Sequence, residues 1–183
     1  MRRSLGLRSA GVVVAVATLA PIGGLTAAPA GAAAGTACKT ITADATFAPG
    51  LPVLGRSTKV ASTVTATGTV GHCSGGGVKS GTVLSTYRIK SGNCRTLLTY
   101  SAATTSTSIT IAWNTNKTST AAVQVRAVKG DPTKHTVTGA VTAGQFKGMH
   151  ITATFTFALL TKKGCLVVPL KEISVSGGPF VIK

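Results

Sequence analysis

The sequence predicts an all-β fold: an antiparallel meander of about eight to ten strands, closed as a β-barrel or packed as a two-sheet β-sandwich, behind a cleaved signal peptide. Three observations carry this reading. Beyond its leader, the chain is rich in Thr, Val, Ala, Ser and Gly and poor in Leu, Glu, Gln and Met, a mixture that favours strands and turns over helices. Apolar and polar residues alternate with a period of two, as in strands with one buried and one wet face. The stretches between alternating runs are short and built from Gly, Pro, Asn and Asp.

The elements follow in order. Arg2, Arg3 and Arg8 form a positive n-region ahead of the apolar run Ala10 to Ala20, which Pro21-Ile22-Gly23-Gly24 breaks. Ala28-Pro29-Ala30 and Ala32-Ala33-Ala34 both fit the A-x-A cleavage rule, so residues 1–34 are expected to be a signal peptide and 35–183 a single domain. A membrane span needs about 20 apolar residues, roughly twice this run. Arg2-Arg3 leaves the twin-arginine route open beside the general one, and a lipid anchor on Cys38 is a minor alternative.

Within the domain, Ile41 to Phe47 alternates first. Val60, Val64, Ala66 and Val70 then share one face, with Thr63, Thr65, Thr67 and Thr69 on the other. Further strands are expected at Val83 to Ile89, Thr96 to Tyr100, Ile109 to Trp113, Ala121 to Ala127, His135 to Val141 and Ile151 to Phe157. Glu172 to Val175 and Phe180 to Ile182 end the series. Pro49-Gly50-Leu51-Pro52, Asn114-Thr115-Asn116-Lys117, Gly130-Asp131-Pro132 and Gly144-Gln145-Phe146-Lys147-Gly148 supply turns between them.

Cys38, Cys73, Cys94 and Cys165 are an even set in an exported chain, the pattern of two disulfides. No C-x-x-C pair suggests a metal site. Of three connectivities, Cys73–Cys94 with Cys38–Cys165 is favoured. The first bridge would staple the Ser74 to Gly77 loop, and the second would tie the first strand to the loop after the Ile151 strand. This pairing requires Gly75 to Gly81 to fold back along the next strand. Otherwise a straight Val83 to Ile89 strand, at about 3.3 Å per residue, holds Cys73 and Cys94 too far apart. Cys38–Cys73 with Cys94–Cys165 is the main alternative.

Charge narrows the choice of partner. The chain has 19 Lys and Arg against 3 acidic residues, and a formal charge of +16 that becomes +13 without the three leader arginines. Such a field attracts anionic cell-wall or extracellular polymers, although the lysines are spread without a dense cluster. Aromatics are only 4% of the chain, too few for the stacking platforms of a single-strand binder. Trp113, Phe155 and Phe157 fall on apolar faces and only Tyr87 and Tyr100 remain as platforms, so no specific nucleic acid is expected.

Catalytic motifs are thin. Thr69-Val70-Gly71-His72-Cys73 and Ser176-Gly177-Gly178-Pro179, with Asp131 between, resemble the histidine and serine motifs of chymotrypsin-like proteases in the same order. That resemblance would make Ser176 a nucleophile, His72 its base and Asp131 the orienter. However, Ile173-Ser174-Val175 replaces the Gly-Asp that precedes the family's serine, and few residues follow Ser176 to wall a specificity pocket. Asp44, Asp131 and Glu172 are the only carboxylates, so a glycosidase pair would require Asp44 and Glu172 to meet in space. His72, His135 and His150 lack ligands at metal spacing, and Gly75-Gly76-Gly77 lacks the Lys-Ser/Thr of a phosphate loop. Asn116-Lys117-Thr118 matches a glycosylation sequon but reads as a hairpin turn.

The alanine-rich leader, Asp44-Ala45-Thr46-Phe47-Ala48-Pro49-Gly50-Leu51-Pro52, Gly71-His72-Cys73-Ser74-Gly75-Gly76 and Trp113-Asn114-Thr115-Asn116-Lys117-Thr118-Ser119 together resemble small secreted β-proteins of actinobacteria. The resemblance covers most of the domain and implies no particular activity. The sequence therefore points to a secreted, non-enzymatic cationic β-domain with no catalytic, cofactor or metal site of its own. A barrel holding a small apolar ligand is the alternative, and a serine hydrolase using His72 and Ser176 is a third reading.

Overall fold

A computed structural model describes residues 34–98, 105–158 and 165–183. The leader expected at residues 1–34 lies outside these except for Ala34. The strands are β1 (Thr36–Leu51), β2 (Val60–Ser74), β3 (Gly81–Gly92), β4 (Thr105–Trp113), β5 (Thr118–Val128), β6 (Asp131–Gly144), β7 (His150–Ala158) and β8 (Leu170–Ile182). A single helical turn, α1 (Cys94–Leu98), follows β3. Each strand pairs antiparallel with its sequence neighbours, and β8 returns to β1, so the meander closes as an eight-stranded barrel rather than a sandwich.

The predicted alternation places the side chains. Val64 and Val70 of β2, Ile111 and Trp113 of β4, Ala121 and Val123 of β5, and Ile151 and Ala153 of β7 point inward and are buried. The threonines between them point outward, where Thr63, Thr67, Thr69, Thr152 and Thr156 are exposed. Such an outer surface differs from the apolar band that a membrane-spanning barrel presents to lipid. Among the described residues, no helix is long and apolar enough to cross a membrane.

The interior has two apolar clusters. The upper one lies under the β2–β3, β4–β5 and β6–β7 hairpins and includes Val78, Trp113, Val141, Phe146, Phe180 and Ile182. The glycine turn after β2 completes it: Gly75, Gly76 and Gly77 all have positive φ, and a side chain at Gly76 would strike the Phe146 ring. Trp113 Nε1 donates to Ser119 Oγ at 2.8 Å, which pins the indole across this end. The lower cluster, at the other end, comprises Phe47, Leu51, Val64, Leu170, Ile173 and the Cys94–Cys165 bridge.

Three expectations are corrected. The disulfides are Cys38–Cys73 and Cys94–Cys165, not Cys73–Cys94 with Cys38–Cys165. The β1–β2 register sets Cys38 directly opposite Cys73 at the upper end, while the extended β3 carries Cys94 to the lower end. Gly75 to Gly81 does not fold back along β3. The same bridge uses the Cys38 sulfur that a lipid anchor would need. Secondly, residues 96–98 of the expected Thr96 to Tyr100 strand lie in α1, and Thr99 and Tyr100 are outside the described residues. Thirdly, Glu172 to Val175 and Phe180 to Ile182 are parts of one strand, β8. Two disulfides suit an oxidising compartment.

Candidate functional site

Between the two clusters the barrel is not filled. A cavity of about 200 Å³ runs from Val70, Val123 and Phe180 above to Ile89, Leu97 and Phe157 below. Its walls are inward-facing side chains of the barrel strands, and most are aliphatic or aromatic. Val83, Tyr87, Ile89, Thr107, Ile109, Val125, Val137, Phe155 and Phe157 all face in yet remain only half-buried. Inward-facing residues that keep accessible surface mark a cavity rather than a packed core.

The pairing of β3 with β4 is related to this. Their ladder runs from Gly81↔Trp113 to Ser85↔Ile109 and stops there, although β3 continues to Gly92 and β4 begins at Thr105. Ser85 sits where the strands part. Its hydroxyl donates to the Ser108 carbonyl at 3.0 Å and lies 3.2 Å from the Thr107 hydroxyl. With Thr105 and Thr107 it forms a polar strip on a mostly apolar lining.

His135 of β6, which is 3% exposed, is the titratable imidazole of the lining and stands among its aromatic rings. Its ring stacks on Phe155 at a centroid distance of 5.7 Å and leans on Phe157 at 4.4 Å. Burial against these rings lowers its pKa from the ordinary imidazole value, so the ring is neutral at pH 7. Nδ1 lies 3.4 Å from the Thr133 carbonyl, which can only accept, so Nδ1 carries the proton and Nε2 is left as an acceptor. Thr133 is itself held by Asp131, whose Oδ1 accepts from the Thr133 hydroxyl at 2.7 Å and its amide at 3.0 Å. Those two bonds keep the Asp131 carboxyl below its usual range. Asp131 thus fixes the residue that fixes the imidazole.

Sequence reasoning passed over His135. The signal was its parity with Val137 and Val141, which places it on the inward face of β6. Tyr87, one of the two aromatics left as candidate stacking platforms, lines the cavity.

The protease-like residues are not assembled. His72 is exposed at the end of β2, with Nδ1 3.4 Å from Thr40 Oγ1. Ser176 faces outward on β8 opposite Thr42, and Asp131 is engaged by Thr133 on β6, diametrically across the barrel from β2. Asp44 and Glu172 do come near each other on adjoining strands, opposite Ser174 and Thr46. Both lie on the exposed outer face, where Asp44 accepts from the Ser174 hydroxyl at 2.5 Å. Asp44 borders a shallow outer hollow with Thr67, Thr69, Ser174 and Ser176, but Glu172 does not line it, so the two carboxylates do not flank a common cleft. His150 is exposed, as its place among the threonines implied. Among the described residues, no cluster of His, Cys, Asp and Glu has the grouping of a metal centre. No protein-family model, curated protein or solved structure matches this chain.

Proposed function

We propose that the chain is exported and that its barrel binds a small apolar molecule carrying one hydroxyl group. The observation that supports this best is the half-buried interior: apolar side chains enclose about 200 Å³ instead of meeting one another. An apolar cavity of about 150 Å³ is enough to admit benzene, so the fitting ligand is of one-ring or small two-ring size. The neutral His135, presenting Nε2 as an acceptor among aromatic rings, selects a hydroxyl donor over a carboxylate, whose charge would be costly to bury there. Entry between β3 and β4, below Ser85, suits the early end of their ladder. The half-buried lining and the neutral imidazole favour this reading over a purely structural cationic domain.

Calorimetry with 1-naphthol, naphthalene and 1-naphthoate tests it. 1-Naphthol is expected to bind most tightly, with the negative heat-capacity change of apolar burial. His135→Phe should remove the preference for naphthol over naphthalene, about tenfold or 1.4 kcal/mol. Failure of all three to bind below millimolar concentration would sink the proposal.

A further inference from the structure

The lower end of the barrel exposes a run of large apolar side chains. Leu166, Val167 and Val168 follow one another in the β7–β8 connection and are 59%, 73% and 51% exposed. Scattered single hydrophobics are normal on a protein surface, but three in succession at a loop tip mark a contact site. The tip is held in place at its base. Cys165 is bonded to Cys94, its amide donates to the Val168 carbonyl at 3.1 Å, and its carbonyl accepts from the Leu54 amide at 2.6 Å.

The charges around the tip are predominantly positive. Arg56 and Lys59 are exposed in the β1–β2 connection, which the Leu54–Cys165 bond places beside the tip. Lys171 is exposed just beyond it in sequence, and Lys129 is exposed in the β5–β6 turn at the same end. Asp131 and Glu172 are the acidic residues of this end, and Asp131 is engaged by Thr133.

We propose that this tip docks on the surface of an anionic lipid bilayer, with Leu166, Val167 and Val168 among the acyl chains and the surrounding Arg and Lys against the headgroups. Apolar insertion and attraction to anionic lipid each supply part of such binding, and the attraction fades within a Debye length. A loop tip of three residues is too narrow for a stable protein interface, which buries about 1,000 Å² or more. A second copy of the chain would bring the same positive charge to the contact. Docking brings the lower half of the barrel, where β3 and β4 part, close to a phase in which an apolar ligand dissolves. The identity of that cargo rests on the proposed function, whereas the docking does not.

Co-sedimentation separates the two. Purified protein is mixed with vesicles of phosphatidylglycerol and phosphatidylcholine at three to one, or of phosphatidylcholine alone. Binding is expected on the anionic vesicles only, weakening as salt rises. Val167→Ser with Val168→Ser, and separately Arg56→Ser with Lys59→Ser, should each reduce vesicle affinity about tenfold or more while leaving 1-naphthol binding intact. Val125→Trp, which fills the cavity, should abolish naphthol binding and leave vesicle binding unchanged. Wild-type protein that ignores anionic vesicles would overturn the docking. So would a Val167→Ser, Val168→Ser variant that binds them like wild type, since charge alone would then explain the association, as it would on any anionic polymer.

Discussion

Two walls of the barrel start from the same alternation of threonine with apolar residues and finish differently. The wall made by β8, β1 and β2 is zipped along its length, with the β1–β2 ladder running from Ala37↔Ser74 to Ala48↔Thr63. Of its inward residues, Ala45, Phe47, Val64 and Ile173 are buried, while Ile41, Ala43, Ala66 and Val175 stay half-buried along the cavity. The wall made by β3 and β4 is zipped only above Ser85, and Val83, Tyr87 and Ile109 remain half-buried. The inward face of β4 shows why. Read downward it is Trp113, Ile111, Ile109, Thr107 and Thr105. The core ends where threonine replaces large apolar side chains, because there is too little apolar area left to exclude water. A closed fold can therefore hold a stable half and a receptive half in one sheet.

The largest test of this contrast uses the disulfides. Each bridge should contribute about 2–5 kcal/mol, and the longer loop slightly more. Cys94–Cys165 spans 71 residues against 35 for Cys38–Cys73, which favours it by about 0.6 kcal/mol on loop entropy. It also ties the open end, whereas Cys38–Cys73 joins strands already zipped. Urea denaturation should show Cys94→Ser with Cys165→Ser costing more than Cys38→Ser with Cys73→Ser. The reverse order would mean that the lower end holds itself together without its staple.

Next in size is a pair of valines. Val64 is 0% exposed in the zipped wall, and Val125 is half-buried in the cavity lining. Val64→Ala should cost about 2 kcal/mol, as it leaves a void that packing cannot close. Val125→Ala enlarges a space that already exists and should cost under about 1 kcal/mol. Equal losses in thermal unfolding would show that the two halves are packed alike.

The order and parity of the strands were legible from the period-2 pattern because inside and outside are chemically distinct here. The run Ile151 to Phe157 became β7 on the expected faces. The choice of barrel over sandwich was not legible, since it depends on β8 meeting β1 across the whole chain. Nor was the disulfide pattern, which follows from strand register rather than from distance along the sequence. Thr96 to Tyr100 misled because its alternation was short, and Cys94 anchors that segment as a turn of helix. The cavity was hidden for a different reason: a sequence shows which side chains face inward but not whether opposite walls touch. His135 could have been placed inside by parity, though not among Phe155 and Phe157.

A smaller effect is expected at the parting of β3 and β4. Ser85→Ala removes a hydroxyl that donates to the Ser108 carbonyl and faces Thr107, and it should cost about 1 kcal/mol. The loss should be local, so amide exchange should quicken across Leu84 to Arg88 and Ser106 to Ser108 and stay unchanged across Thr42 to Phe47. Quickening spread evenly around the barrel would mean that Ser85 supports the whole sheet and marks no boundary within it.

The smallest effect is invisible at pH 7 and concerns His135. Burial lowers its pKa in the folded protein below the unfolded value of about 6.5, so the folded state binds this proton less readily than the unfolded chain does. The stability contributed by the neutral ring is present above that unfolded pKa. It is lost progressively as pH falls through it towards the folded pKa, below which no more is lost. His135→Phe should flatten this part of the stability-versus-pH curve, measured by urea denaturation between about pH 7 and 5. The comparison of walls adds a second arm. The half-buried lining leaves space beside the ring that water can enter when no ligand is bound, which limits the burial penalty there. A bound naphthol should displace that water and occupy Nε2, so the acid-side loss should steepen when the cavity is filled. A slope unchanged by saturating naphthol would place the ligand away from His135 and break the link between the loose wall and the imidazole it faces.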